Sequence, residues 1–161
     1  WRQLQRAGRM TIFDRTWYGR VLVERIDRLI PTDTWTRAYS EINAFEHEIC
    51  ENGTLLLKFW IHITRKEQRK RFKERAGTPY KTWKLTGDDW HNRDKWEEYE
   101  TAVNDMVAQT STETAPWHLI SGNDKHYARI QILEILAAAL DAALAARRYK
   151  SVTSPRRERT R

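Results

Sequence analysis

Acidic and basic side chains that could bind a metal ion and phosphate follow a short apolar run early in the chain. Residues 9–13 (RMTIF) have the composition of a buried strand, and the run ends in Asp14 and Arg15, with Arg20 about one helical turn further on. A carboxylate on a rigid strand end suits a hard cation such as Mg²⁺, and adjacent guanidinium groups bind phosphate oxygens. The pattern predicts a metal- and anion-binding locus, although Asp at this place is equally typical of a helix cap.

A concentrated basic segment follows at a distance. Residues 58–84 hold ten Lys and Arg residues against two acids, and residues 88–113 hold eight acids against two bases. Two solvated helix faces that pair with each other would explain this pattern. Arginines at 69, 71 and 75 also predict a mobile lid, because the equatorial oxygens of a transferred phosphoryl group need such planar donors.

The elements that must position these residues alternate between strands and helices. Strands are expected at 9–13, 54–63 and 116–120; helices are expected at 17–26, 32–51, 64–76, 86–109 and from 124 onward. This order predicts an α/β domain with a parallel sheet covered on both faces. Ligands of such sheets lie at the carboxyl ends of strands, which places Asp14, Thr64 with the basic helix, and residues 121–125 along one edge.

Composition limits the remaining possibilities. The 161 residues fit one domain, and the longest apolar stretch, 135–144, is too short to cross a bilayer. A lone Cys50 and five His residues without ligand spacing offer no zinc site, and a reducing cytoplasm is expected. Of the net charge of +7, residues 147–161 contribute +6 (seven bases, one acid), and residues 149–161 are predicted to be a disordered basic tail.

Several motifs together resemble the second family of polyphosphate kinases over residues 8–145. They are GRMTIFDRTWYGRVLVER (8–25), LKFWIHI (57–63), RFKER (71–75), WKLT (83–86), TETAPWH (112–118) and NDKHYAR (123–129). The GRVLVER version looks most like the polyphosphate:AMP phosphotransferases. The resemblance implies a P-loop kinase-like parallel sheet flanked by helices, with a helical lid at 64–90.

The resemblance also implies an activity and its residues. Inorganic polyphosphate and a nucleotide, AMP or else ADP or GDP, would exchange a phosphoryl group with Mg²⁺ as cofactor. Asp14 matches the metal-binding Walker-B aspartate and Arg15 the adjacent nucleotide-phosphate arginine. The other expected site residues are Arg71 and Arg75 as catalytic phosphate contacts, Lys81 and Lys84 along the polyphosphate channel, and Arg20, Lys58, Asp124 and Arg129 as substrate-binding residues. For Asp124, a cap of the last helix is the alternative.

One departure from the family pattern is the Walker-A loop. The sequence has no GxxxxGK[ST] motif and no Gly-Lys dipeptide. We expect the N-terminal part of the fold, including a central strand and its helix, to be missing, so that residues 1–148 form an incomplete domain. No phosphotransfer is expected from this chain alone.

Other functions stay open at this level. The basic tail and eight Trp residues would suit a nucleic-acid-binding module, although most of these Trp residues fall at core spacing. An ATP-dependent nucleoside monophosphate kinase would share the fold and the Asp-Arg locus, and a non-catalytic scaffold subunit is a third alternative. A homo-oligomer is expected, and neither a membrane nor a nucleic acid is the expected partner.

Overall fold

Two short parallel strands and the helices around them make up the part of the chain that the structure describes. The computed structural model describes residues 8–14 and 16–153. In chain order the elements are a 3₁₀ segment (Trp17–Val21), α1 (Val23–Ile26), α2 (Thr32–Glu51), β1 (Lys58–His62), α3 (Arg65–Ala76), a second 3₁₀ segment (Pro79–Lys84), α4 (Gly87–Asp94), α5 (Trp96–Thr110), β2 (Trp117–Ser121) and α6 (Lys125–Thr153).

The strand pairing confirms the parallel sheet expected from the sequence. β1 and β2 run in the same direction, in register from Lys58 opposite Trp117 to His62 opposite Ser121. The crossover between them passes through α3, α4 and α5. The predicted cover on both faces is not realised within the described residues, because Ile61 is 52% exposed and Leu119 is 62% exposed.

The strand predicted at residues 9–13 is not present. Residues 8–14 are irregular, and the sheet of the described residues consists of β1 and β2. An extended segment needs a neighbour to take up its N–H and C=O groups, and neither strand pairs with this one. The side chains are therefore exposed, Ile12 at 87%.

The core lies between the first 3₁₀ segment, α2 and α5. It is a cluster of buried side chains: Tyr18, Val21, Ala38, Tyr39, Ile42 and Met106. Each large apolar member stabilises the fold by about 1.5–3 kcal/mol through removal from water. The amphipathic pattern of residues 35–49 is what directs α2 onto this core, as the sequence predicted.

The start of α3 follows a local capping rule, whereas the break between α4 and α5 depends on a tertiary contact. The Thr64 hydroxyl accepts a hydrogen bond from the Glu67 N–H (3.2 Å) and so begins α3, as expected. The single helix expected over 86–109 is instead α4 and α5, separated at Lys95. The Lys95 ammonium donates to the Ile26 carbonyl (3.3 Å) and to Asp27 (2.7 Å), a tertiary contact that has no local sequence signal.

The last helix is longer than expected. α6 runs to Thr153, so the tail predicted at 149–161 does not begin at 149, and residues 154–161 lie outside the described residues. None of the helices in the described part of the chain combines the length and the apolar composition that crossing a bilayer requires.

Candidate functional site

The two strand ends are joined by a close backbone contact. The Gly122 N–H donates to the His62 carbonyl (2.6 Å), and the Asn123 side-chain oxygen accepts from the Thr64 N–H (2.9 Å). A Cβ at position 122 would lie 2.7 Å from the Ile61 Cγ2 and 3.1 Å from the His62 carbonyl oxygen, so this approach requires glycine. The starts of α3 and α6 are thereby fixed side by side at one edge of the sheet.

Arg71 ties α3 to the same edge. Its Nη2 donates to the carbonyl oxygens of Gly122 (2.6 Å) and Asn123 (3.1 Å), and its Nε donates to Glu67 (2.8 Å). Arg71 therefore lies where the sequence placed it, at the strand ends. In this arrangement its planar fork holds the loop after β2, and its role as a phosphate contact stays a prediction.

A wide basic groove runs along α3 from this edge. Its volume is about 1060 Å³. Its charged lining consists of six cationic and two acidic side chains: Arg65, Lys66, Arg69, Lys70, Lys73, Arg93, Glu67 and Glu74. Within the described part of the chain, no hydrogen bond or ion pair occupies the charged groups of Arg65, Lys66, Arg69 and Lys73. These four cations form a stripe about 12 Å long on one helix face, at a rise of 1.5 Å per residue.

α4 closes onto the first turns of α3. The Arg93 Nη1 donates to the Arg65 carbonyl (3.0 Å) and to the Gln68 side-chain oxygen (2.8 Å). The Phe72 and Trp90 rings meet edge to face, 5.2 Å between centroids. The segment expected to be a lid, 64–90, thus contains α3, the second 3₁₀ segment and the start of α4, and the Phe72 and Trp90 rings join its two helices.

Lys81 and Lys84 lie on the exposed 3₁₀ segment between those arms. Each ammonium sits over the ring of the preceding residue, Lys81 at 5.3 Å from the Tyr80 centroid and Lys84 at 5.1 Å from that of Trp83. The groove lining does not include either lysine. Arg75 is half-buried in the last turn of α3 and is also absent from that lining.

Asp124 acts as the cap of α6. Its carboxylate accepts hydrogen bonds from the N–H groups of Tyr127 (3.1 Å) and His126 (2.8 Å). These bonds hold the pKa of Asp124 below its usual value. This geometry accounts for Asp124 structurally. Arg129 is exposed on the next turn of α6, and substrate binding by either residue stays a prediction.

The expected metal locus is open to solvent. Asp14 is exposed, Arg15 lies outside the described residues, and Arg20 makes a 3.7 Å contact with Glu24 one turn on. No group of three or more His, Cys, Asp or Glu residues could hold a metal within the described ranges, 8–14 and 16–153. An accessible single carboxylate fits Mg²⁺, which keeps several waters and takes its other ligands from substrate phosphates.

Lys58 corrects one sequence-based assignment. Its side chain is buried, 5% exposed, and its ammonium contacts Glu46 (2.7 Å), the Tyr18 hydroxyl (3.0 Å) and the Thr110 carbonyl (2.6 Å). An ammonium has three N–H donors, and all three are used inside the protein. Lys58 is therefore not a substrate-binding residue in this structure.

Sequence reasoning overlooked several residues of this edge. Asn123 was expected at this edge with residues 121–125, but its bond to the Thr64 N–H joins positions 59 residues apart and has no local signal. The position of the stripe on one face of α3 could have been found from its successive spacings of one, three and four residues. Arg93 gave no signal, because its role depends on how α4 packs on α3.

Comparison with known proteins identifies the family. The family model for polyphosphate kinase 2 (PPK2) matches residues 1–148. The chain therefore belongs to the polyphosphate kinase 2 family, as the sequence motifs indicated. The chain is 52% identical over 143 residues to a polyphosphate:AMP phosphotransferase of Pseudomonas aeruginosa, a match that covers 89% of this chain and 29% of that protein. It is 38% identical over 139 residues to an AMP/ADP-polyphosphate phosphotransferase of Meiothermus ruber, covering 86% of this chain and 52% of that protein.

Solved structures confirm the fold. A crystal structure of a polyphosphate kinase 2 from Pseudomonas aeruginosa matches with a TM-score of 0.88 at 51% identity, covering 91% of this chain and 32% of that one. A polyphosphate kinase 2 from Arthrobacter aurescens matches with a TM-score of 0.86 at 35% identity, covering 95% and 58%. The structure is thus part of an α/β P-loop-like kinase fold, as expected, and the chain spans about 29% of the length of the Pseudomonas relative.

Proposed function

We propose that this chain supplies the polyphosphate-binding face of a phosphotransferase that moves a phosphoryl group between inorganic polyphosphate and a nucleotide. The observation that carries the proposal is the stripe of four unpaired cations on α3. The stripe begins next to the carboxyl ends of both strands. A linear polyanion needs a row of cations, whereas a single compact phosphate needs one cluster. Relatives named polyphosphate phosphotransferases support this choice of substrate.

AMP is the nucleotide that the relatives favour. Three of them, at 51–52% identity, are named polyphosphate:AMP phosphotransferases. Relatives at 36–38% identity carry names with AMP/ADP, NDP or ADP. We infer AMP as the phosphoryl acceptor of the whole protein, with polyphosphate as donor.

Asp14 is the residue that would hold Mg²⁺. The ion, when bound, would neutralise charge on the phosphate oxygens. The exposed carboxylate would hold the ion, and Arg15 and Arg20 would bind the nucleotide phosphate. The stripe on α3 holds the polyphosphate chain, while Arg71 keeps the loop after β2 in place. Arg75, Asp124 and Arg129 remain proposed contacts with no separate support from the geometry.

The test compares the polyphosphate affinity of two double variants, each of which lacks two positive charges. Arg69→Gln/Lys73→Gln takes them from the stripe, and Lys81→Gln/Lys84→Gln takes them from the 3₁₀ segment; Gln keeps helix propensity. Binding of fluorescent polyphosphate to the 161-residue chain is measured at fixed ionic strength. We expect the stripe variant to bind about 30-fold more weakly, since two charge-assisted contacts are worth about 1 kcal/mol each or more.

The control and the contrary outcome are both defined. Arg28→Gln/Arg37→Gln removes the same charge at exposed positions away from the groove and should change affinity only slightly. Equal loss in all three variants would mean that only net charge matters and would contradict the stripe. Competition against single-stranded nucleic acid decides the alternative, because displacement of polyphosphate by nucleic acid at lower concentration would favour a nucleic-acid-binding module. A cytoplasmic location and a homo-oligomer stay predictions.

A further inference from the structure

A buried polar network includes the two residues that open the first 3₁₀ segment, shortly after Asp14 in the chain. Glu46 on α2 is 1% exposed, and its carboxylate accepts from the Tyr18 hydroxyl (2.7 Å), the Trp17 indole N–H (3.0 Å) and the Lys58 ammonium (2.7 Å). We call Trp17, Tyr18, Glu46, Lys58 and the Thr110 carbonyl the Glu46 network. It connects the first 3₁₀ segment, α2, β1 and the end of α5.

The network is closed on itself. The Lys58 ammonium donates one hydrogen bond each to the Tyr18 hydroxyl, the Glu46 carboxylate and the Thr110 carbonyl. Burial raises the pKa of Tyr18 well above its usual value, so its hydroxyl stays a neutral donor. The Lys58 ammonium therefore has no N–H donor left for a ligand. A functional role of the network must act through the side chains that Glu46 holds, Trp17 and Tyr18.

Those groups begin at Trp17, two residues after Arg15. Trp17 and Tyr18 open the 3₁₀ segment, and the Trp17 ring is packed between Phe13 (5.7 Å between centroids) and Phe45 (5.0 Å). Asp14 is thus adjacent in sequence to Phe13, which contacts the residue that Glu46 holds. The irregular backbone of residues 8–14 has no strand partner among the described residues, and the contact between the Phe13 and Trp17 rings is one restraint on it.

Stability alone is a weak reason for this arrangement. Replacing a buried ion pair by apolar groups of similar size is often neutral or stabilising. What an apolar pair cannot supply is an acceptor for two directional bonds, from the Trp17 N–H and the Tyr18 O–H.

We propose that Glu46 is a positioning residue: through its bonds to Trp17 and Tyr18 it fixes the 3₁₀ segment that follows Asp14, and so limits the orientations of the Asp14 carboxylate toward a divalent cation. The inference rests on the proposed function in assigning a cation to Asp14. The restraint of residues 13–18 can be measured without any substrate.

Two double variants separate positioning from stability. Glu46→Gln/Lys58→Met removes both charges and keeps a side-chain oxygen for Trp17 and Tyr18. Glu46→Leu/Lys58→Met removes the charges and the acceptor, with similar volume. Asp14→Asn identifies the cation signal as that of Asp14, and Arg37→Gln/Glu41→Gln removes an exposed ion pair from the same helix as a control.

Three measurements are made on the 161-residue chain: thermal unfolding, amide hydrogen exchange of residues 18, 19 and 22, whose N–H groups are hydrogen-bonded, and Mn²⁺ affinity from water-proton relaxation with AMP present to supply the phosphate ligands. We expect both double variants to fold. The Leu variant should exchange about tenfold faster at residues 18, 19 and 22. It should also bind Mn²⁺ about tenfold more weakly, the lower end of the effect of removing an outer-shell partner. The Gln variant and the surface control should match the parent in both readouts.

Equal behaviour of the Leu and Gln variants would overturn the proposal, because a charge or packing role predicts no difference between them. Absence of an Asp14-dependent Mn²⁺ signal in the parent would also overturn it. If the Leu variant fails to fold, Tyr18→Phe replaces it, and unchanged exchange and Mn²⁺ affinity in that variant would count against the proposal. Failure of polyphosphate to bind the parent contradicts only the proposed function, so the two failures can be told apart.

Discussion

Replacing Gly122 by alanine tests whether the contact between the strand ends determines the site. The added Cβ would lie 2.7 Å from the Ile61 Cγ2, 3.0 Å from the Ile63 Cγ2 and 3.1 Å from the His62 carbonyl oxygen. Carbon atoms prefer separations of about 3.5–4.0 Å, so the Ile61 contact is too short by about 1 Å. The Ile61 methyl can move, since its side chain is half exposed, but the carbonyl of a β1 residue cannot move without disturbing the strand.

We expect Gly122→Ala to lower the free energy of unfolding by about 2 kcal/mol, the middle of the range for overpacking. For a chain of this length that corresponds to a fall in Tm of about 4–8 °C. Thermal and urea unfolding measure the change. The loop should also move away from the Arg71 fork, so polyphosphate affinity in the groove should fall together with stability.

Two further variants make this prediction specific. Gly87→Ala is the same substitution at the first residue of α4, where a Cβ would meet nothing within 4 Å, and it should be neutral or slightly stabilising. Ile61→Ala in the Gly122→Ala background removes the nearest methyl and should recover part of the lost stability. Parent-like unfolding of Gly122→Ala would refute the reasoning from the close approach.

Two other predictions concern a helix cap and an acid-sensitive contact. Thr64→Ala removes the acceptor for the Glu67 N–H and should cost about 1 kcal/mol in urea unfolding, whereas Thr64→Ser should cost little; equal losses would argue against capping. The pKa of Asp27 is lowered from its usual 3.8 by its hydrogen bonds with Lys95 and then His91. Because a lowered folded-state pKa stabilises the protein above the unfolded value, this contribution is lost as pH falls below about 4 through the folded-state pKa. Asp27→Asn should therefore make the unfolding free energy depend less steeply on pH between about 5 and 2, and an unchanged slope would contradict the contact.

The elements with complete local signals were predictable from the sequence. α2 carries its apolar residues at helical spacing and ends before Asn52-Gly53, and the structure has it at Thr32–Glu51. Thr64 and Asp124 each precede a helix that they cap through their own side-chain oxygen. For these elements, the residues that decide the structure are within four positions of each other, so pattern reasoning finds them.

Elements that depend on distant partners were not predictable in the same way. Residues 9–13 have the composition of a strand, but a strand also needs a neighbour, and composition does not show whether one is present. The break at Lys95 depends on Asp27, 68 residues away. In both cases the tertiary partner, rather than the local propensity, decides the backbone.

Lys58 shows how the same limit affects a functional assignment. It is the first residue of the segment 58–84, which contains ten Lys and Arg residues, and a count of charges does not distinguish it from the other nine. In the structure it is the first residue of β1, and its side chain enters the core beside Glu46, where its charge is balanced. On α3, by contrast, the four exposed cations of the stripe have no hydrogen bond or ion pair at their charged groups within the described residues, so they remain available to a polyanion. A buried lysine must instead find its three acceptors within the fold. Burial and pairing therefore decide which basic residues can meet a substrate. These two properties distinguish Lys58 from the four stripe residues, although all five belong to the basic segment 58–84.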